Sequence, residues 1–457
     1  AHNALQSLFG RVNYGFRSRY LAEVNFRYDG SSRFAPNVRW NLFTSASLGW
    51  VFSEEEFFKG LTRVVESGKI RASYGSQGND RVGSDYAYLA TLGPVNNIFP
   101  IGNAYTIGYR QQSIPNKLLT WESVIKKNIG LDLVFLRGRL GVTMDVFENN
   151  TNDILLSVPL PDVLGVGSAY PPQNAGKVQN RGWEVQTSWR DQTGTFRYGI
   201  HANLSDVRNE VVSLGGVPPT IGDRIRMVGE PIDAFYGLVA ERLAQESDFT
   251  YNAEIKKYTP NFPIIAGDPV APGDLIFRDL DGDGVITLDK DREVIGNAIP
   301  RFTYGIRGEL GWKGVDFSFF LQGVGRADGY LQGASRHALI NEGSLPQTVH
   351  LDRWTPENPD ASYPRLTYQQ SYNQRLSTYW LEDASYLRLK NIQLGYTLPS
   401  TLTQKFRVSR LRVYASADNL LTKSDFFYGY DPETPVTSGG YYPQVKTFVF
   451  GLNINLK

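Results

Sequence analysis

Three aspartates spaced two apart open the stretch with the clearest chemical potential. Asp279, Asp281 and Asp283 precede Gly284 in a D-x-D-x-D-G run, the opening of a calcium loop. Carboxylates at positions 1, 3 and 5 can converge on one ion because glycine permits the sharp turn, and the Val285 carbonyl then points inward. Lys290 stands where the helix–loop–helix form of this loop carries a bidentate Glu, so Asp289 or Asp291 must supply the last carboxylate. The flanks read as strands, not helices. Segment 279–291 is therefore expected to hold a structural calcium that pins a long loop. The plainer alternative is an Asp/Gly turn cluster without an ion.

Covalent chemistry finds little support. There is no Cys, and only 4 His stand in the sequence, in unrelated segments. No G-x-S-x-G run marks a nucleophile elbow. The run Glu54-Glu55-Glu56 reads as a solvated turn. The chain is expected not to be an enzyme. Aromatic side chains in loops are the remaining candidates for ligand contact: Tyr86, Tyr88, Tyr105, Trp354, Tyr368 and Tyr372. Their faces stack on sugar rings or pack on peptide side chains. For any one of them, packing within the loops is the plainer alternative.

These residues must be positioned by strands. The 457 residues carry 47 Lys+Arg against 46 Asp+Glu, a balance that argues against nucleic-acid binding. Aromatics make up 13% and Gly counts 45, yet hydrophobic content is only 41%. No apolar run approaches the roughly 18 residues of a membrane helix. A period of two recurs instead. Residues 20–28 set Tyr20, Ala22, Val24, Phe26 and Tyr28 against Leu21, Glu23, Asn25 and Arg27. Residues 448–456 and 196–204 alternate in the same way. About 13 long strands follow, starting near residues 7, 20, 42, 68, 124, 139, 182, 195, 301, 314, 386, 410 and 445.

The connections also alternate. Segments 16–19, 136–139 and 312–314 are tight turns, whereas 29–41, 79–120, 151–180, 206–300, 326–384 and 425–444 are long and rich in Gly, Pro, Asn, Asp and Tyr. Short turns at one end and long loops at the other describe an antiparallel transmembrane β-barrel with periplasmic turns and extracellular loops. Trp50, Phe52, Trp183, Trp189 and Trp312 near strand ends suit its aromatic girdles. Segment 206–300 is then a long extracellular insertion carrying the acidic loop. An odd strand number cannot close an up-and-down barrel, so further strands are expected on the N-terminal side. No targeting segment is visible, and the chain is read as a processed product or a piece of a longer one.

Several motifs in order carry a resemblance. They are R-Y-D-G-S-S-R-F from Arg27, L-G-W from Leu48, S-E-E from Ser53, K-I-R-A-S-Y-G-S-Q-G-N from Lys69, and W-E at Trp121. Then follow N-A-G-K-V-Q-N-R-G-W-E from Asn174, S-Y-L-R-L-K-N from Ser385, A-S-A-D-N-L-L-T from Ala415 and G-Y-D-P-E from Gly429. Together they resemble the SusC/RagA class of TonB-dependent outer-membrane transporters of Bacteroidetes. The resemblance implies an all-β fold in which residues 1–457 are the C-terminal portion, about 13 strands, of a barrel of about 22. A plug-bearing N-terminal segment, or a separate chain, would supply the rest and would contact the TonB complex. It implies import of glycan oligomers or peptides with a SusD-like surface lipoprotein, in an outer membrane of lipid and lipopolysaccharide. The run from Arg353 to Pro359, with Tyr363-Pro364-Arg365, is the expected rigid docking surface for that lipoprotein. The alternatives are a non-transporting adhesin or assembly barrel, and a secreted β-sandwich protein acting on polysaccharide.

Overall fold

The computed structural model describes residues 2–82, 85–101, 104–111, 114–157, 172–442 and 444–456. Its main element is one antiparallel sheet of 13 strands, joined in chain order. They are β1 (Leu5–Phe16), β2 (Tyr20–Ser31), β3 (Trp40–Trp50), β4 (Val65–Asn79), β5 (Glu122–Phe135), β6 (Leu140–Ser157) and β7 (Pro172–Thr193). Then come β8 (Phe196–Ser213), β9 (Phe302–Trp312), β10 (Val315–Gly325), β11 (Tyr386–Thr397), β12 (Val408–Ser424) and β13 (Thr447–Leu456). The strands expected from alternation are all present. Three run further than alternation shows: β6 to Ser157, β7 from Pro172 and β8 to Ser213. Their outer parts mix polar and apolar residues on both faces, with Asn150, Asp206 and Val211 buried, so no apolar stripe of period two marks them. The insertion after β8 thus starts at residue 214.

Most connections alternate between short and long, although 51–64 on the short side is longer than 32–39 on the long side. Lys313 and Gly314 take φ of 45° and 90° between β9 and β10, the backbone of a tight two-residue hairpin. The short-side connection 51–64 is longer and holds two 3-10 turns, Phe52–Glu54 and Glu56–Leu61. Glu54 and Glu56 are exposed there, in keeping with a solvated turn, but Glu55 departs from that reading. Glu55 is pinned: it accepts from the Tyr20 hydroxyl (2.6 Å), Trp50 Nε1 (3.3 Å) and Arg19 Nη1 (3.0 Å). These donors and the Arg19 charge hold its carboxyl below the usual range, the Tyr20 hydrogen bond contributing most.

The chain divides into two compact units. The first comprises Ala1–Gln192, Gly199–Pro219 and Met227–Ile232; the second Thr193–Tyr198, Thr220–Arg226 and Asp233–Lys457. In the first, register places side chains in rows across the sheet. One row is Tyr14, Ala22, Leu48, Ala72, Ile129, Val146 and Trp183. Its members Tyr14, Leu48, Ile129 and Val146 are 62–65% exposed. No soluble protein leaves so continuous an apolar row open to water, so this face meets hydrocarbon. On β7 the same face reads Trp189, Thr187, Val185, Trp183 and then Arg181. Trp183, expected near a strand end, lies inside the longer β7 and marks the edge of the apolar band. Lys127 and Glu148 pair at 2.9 Å one row beyond it. In the second unit Leu310, Phe317, Leu394, Ala415 and Phe450 form an equivalent row.

Opposite parity carries the polar set, including Glu23, Arg27 and Asp145. A lysine at Val142 faces hydrocarbon, whereas one at Thr143 joins the polar face. Val142→Lys is expected to cost about 2–4 kcal/mol and Thr143→Lys much less. Heat resistance of the folded barrel on gels measures both, and equal losses would refute the face assignment.

Candidate functional site

The inward face of the first unit is polar and small. Arg11, Glu23, Asn25, Ser45, Ser47, Ser73, Asn128 and Asp145 share it. Arg71 on β4 reaches across β5 to β6. Its Nη2 donates to Asp145 Oδ2 (2.6 Å), Nε to Asp132 Oδ2 (3.1 Å) and Nη1 to Asn128 Oδ1 (3.3 Å). The guanidinium lies on Gly130, where a Cβ would stand 2.4 Å from Arg71 Cζ. Only glycine leaves that space. A groove of about 980 Å³ opens on this face, lined by Arg11, Glu23, Asn25, Ser45, Gln77 and Lys126 among others. Phe9, in the same groove, is 75% exposed.

The second unit repeats the clasp. Arg412 on β12 reaches over Gly395 of β11 to Asp316 of β10, with Nε donating to Oδ1 at 2.9 Å. A Cβ at Gly395 would stand 2.4 Å from Arg412 Nη2. Nearer the long-loop end, β11 bulges at Lys390, since Leu389 and Asn391 pair on either side of a register shift. A bulge re-aims side chains. Here it aims three polar residues at nearby acceptors, with Arg388 Nη1 and Lys390 Nζ sharing Glu433 Oε1 (2.9 and 2.8 Å). Arg388 Nη2 donates to Asp431 Oδ1 (2.7 Å) and Nε to Thr422 Oγ1 (2.9 Å). Lys390 Nζ reaches Glu433 Oε1 (2.8 Å) and Asn391 Nδ2 reaches Asp418 Oδ1 (2.7 Å). The Arg388 and Asp431 side chains are 3% and 8% exposed. The clasp fixes the last connection, residues 425–446, whose Val436–Thr437 also lies parallel to Asp328–Leu331. In the sequence S-Y-L-R-L-K-N and G-Y-D-P-E read as separate motifs, and their binding to each other was missed. A buried-parity arginine facing a later D-P-E turn was the available signal.

The connections of the second unit have a core of their own, containing Phe235, Leu238, Leu275, Phe277, Tyr363 and Trp380. Asp274, 1% exposed, sits beneath it. Arg365 grips Asp274 with two bonds of 2.7 and 2.8 Å, and Asn373 Nδ2 adds a third at 2.7 Å. This corrects two candidate ligand residues. Trp354 is 8% exposed, lies on Gly273 and donates to Gln245 Oε1. Tyr372 is 2% exposed within the same core. Neither shows a face to solvent, and Arg365 points inward rather than to a docking partner. Burial pushes the Tyr379 hydroxyl up to about 12 and the His337 imidazole down to about 3, so both are neutral at neutral pH. Tyr368 is 55% exposed, as a contact residue requires. Tyr86 and Tyr88 meet edge to face, 6.1 Å apart and half-buried, and Tyr86 donates to the His2 carbonyl. The Tyr105 side chain lies outside the described residues. Tyr428 and Tyr442 on the last connection, 93% and 85% exposed, were not among the candidates.

The acidic loop converges only in part. One oxygen each of Asp279, Asp281 and Asp283 lie within 4.8 Å of one another. Lys290 Nζ already sits on Asp281 Oδ2 (2.9 Å) and Asp283 Oδ2 (3.2 Å). That ammonium holds the Asp281 carboxyl below its usual range. Asp291, fully buried, spends its oxygens on the Leu280 and Thr287 backbone amides and the Thr287 hydroxyl, which corrects its assignment as a ligand. Val285 offers its amide to Asp283, and no ligand contact brings in Asp289 among the described residues.

Arg388→Ala strands a buried carboxylate, a change that costs about 3–5 kcal/mol. The last connection is expected to become cleavable by protease while the barrel keeps its heat resistance. An equally protected segment 425–446 would show that the parallel strand alone holds it.

The chain is similar throughout to known outer-membrane receptors. Residues 2–420 match the model of the family described as TonB dependent receptor-like, beta-barrel. It is 31% identical over 475 residues to TonB-dependent receptor P3 of Formosa agariphila, covering 98% of this chain and 45% of that protein. It is 30% identical over 465 residues to TonB-dependent receptor SusC of Bacteroides thetaiotaomicron, covering 99% of this chain and 44% of that one. Among solved structures, the RagAB peptide transporter superposes with a TM-score of 0.80 at 25% identity, over 99% of this chain and 48% of that chain. The chain thus spans less than half the length of these relatives. Strand order, outward apolar rows and these likenesses agree: the chain belongs to the TonB-dependent receptor-like β-barrel family.

Proposed function

We propose that the chain forms the C-terminal wall and outer vestibule of an active outer-membrane importer of SusC type. The cargo is a glycan oligomer or a peptide, and a SusD-like surface lipoprotein and the TonB complex take part. The observation that carries this reading is the polar, ion-paired inward face set behind an apolar outward face. Such a wall encloses a hydrated path. The names of two relatives, SusC and the RagAB peptide transporter, support the class. Covalent chemistry has no part in it. The free edges of β1 and β13 pair, in this reading, with strands of a plug-bearing segment, because backbone groups in hydrocarbon must be bonded. Native purification of the full-length protein is expected to bring down a lipoprotein in equal amount. Deleting the TonB complex should abolish uptake. A protein that purifies alone and still supports uptake would overturn the reading.

A structural calcium at Asp279, Asp281 and Asp283 is a separate proposal. An ion there must displace the Lys290 ammonium, so it competes with a cation the loop already owns. Calcium is expected to slow proteolysis of residues 274–296, and Asp281→Ala to remove that protection. Equal cleavage with calcium and with chelator would leave Lys290 as the loop's only counter-ion.

A further inference from the structure

The short-side connection 51–64 carries an apolar surface that the sheet does not use. Phe57 is 70% exposed, Leu61 58% and Val64 57%. They sit on or beside the 3-10 turn Glu56–Leu61, whose other aromatic, Phe58, is buried. Chance exposure of single apolar residues is ordinary, but three on one short connection form a patch.

The patch is continuous with the hydrocarbon-facing surface. Trp50 belongs to the outward row Phe16, Tyr20, Trp50, Ile70, Leu131, Met144 and Val185. Its ring meets Phe52 at 6.0 Å and Phe57 at 6.3 Å. Phe52 in turn lies on Gly68 of β4, where a Cβ would come within 2.2 Å of its ring. Gly68 shares outward parity with Ile70. The connection therefore folds back over the lipid side of the sheet and not beneath the lumen. Glu55 sets its height, since it takes the polar tips of Tyr20 and Trp50 together with Arg19. Lys59, paired with Glu56 at 2.7 Å, keeps its charge in water, with 65% of its side chain exposed.

We propose that Phe57, Leu61 and Val64 insert into the membrane interface as a foot, with phospholipid as their partner. Aromatic and aliphatic side chains beside a tryptophan girdle, with charges on the other side, suit the headgroup–acyl boundary. Residues 54–63 hold Lys59 and Arg63 against Glu54, Glu55 and Glu56, so burial of apolar surface, and not attraction to anionic headgroups, supplies the binding.

The test uses the full-length protein, folded and reconstituted in phosphatidylethanolamine–phosphatidylglycerol vesicles. This chain has no native Cys, so Phe57→Cys, Leu61→Cys and Lys59→Cys each give one site here for an environment-sensitive fluorophore. Heat-resistant mobility confirms that each variant is folded. Labels at 57 and 61 are expected to be quenched by lipid-borne nitroxide at least about threefold more than at 59, with the reverse order for aqueous iodide. Iodide reaching all three sites alike would overturn the foot. So would protection of 57 and 61 from both quenchers, which would assign the patch to a protein partner or a second copy.

Discussion

Within hydrocarbon every backbone N–H and C=O must find a partner inside the protein, and that constraint governs the rest of this chain. A sheet laddered in chain order satisfies it with the least sequence information. Once the ladder exists, each residue retains one choice, its face. Alternation then becomes the only strong signal in the strands, and the outward rows can be as exposed as Val146 or Phe450 without penalty. The same requirement keeps the backbone of every turn and loop out of the hydrocarbon core. Because strands run antiparallel, loops of one kind collect at one end. Membership of the TonB-dependent receptor-like family places this sheet in the outer membrane.

The inward face answers to a different demand. It is wet, so polar residues are free to occupy it, but a wide wall of small polar residues has little to stiffen it sideways. Arg71 over Gly130 to Asp145, and Arg412 over Gly395 to Asp316, are the same solution in the two units. Arg71 bonds to both β5 and β6, and Arg412 ties β12 to β10 across β11. A planar, multidentate cation suits this role where a lysine's point charge would not. Glycine on the middle strand is part of the device, since any Cβ would lift the guanidinium off the wall. The glycine content of the chain is thus in part a consequence of how arginines cross the sheet.

The strands were legible because their period is imposed by solvent on one side and hydrocarbon on the other. All 13 are present, and all but β7, which begins at Pro172 and not near 182, start close to where alternation places them. Legibility failed where polar and apolar residues share both faces, as in the outer ends of β6, β7 and β8. It failed again where the role of a side chain depends on a distant partner. Glu55 looked like one of three solvated carboxylates, yet it collects Arg19, Tyr20 and Trp50 from β2, β3 and the turn between β1 and β2. Trp354 and Tyr372 looked like contact aromatics because composition cannot tell a loop's core from its surface. Asp291 had the right type and spacing for an ion, but its oxygens were already committed to the loop's own backbone.

The long connections pose the remaining physical problem. Ordering a residue costs about 1–2 kcal/mol of backbone entropy, and the membrane sheet offers the connections little apolar surface to offset it. The second unit meets this cost by building a core out of its connections: segment 234–277 packs on segment 349–381 through Phe277, Tyr363 and Trp380, over the Asp274–Arg365 pair. Such a core cannot also be a set of ligand contacts, because the same rings cannot be buried and presented. What the core leaves outside includes Tyr368 and, on the last connection clasped at Arg388, Tyr428 and Tyr442. A rigid frame with a few projecting aromatics presents those rings already ordered, since most of the entropy of the connections is lost when their core folds.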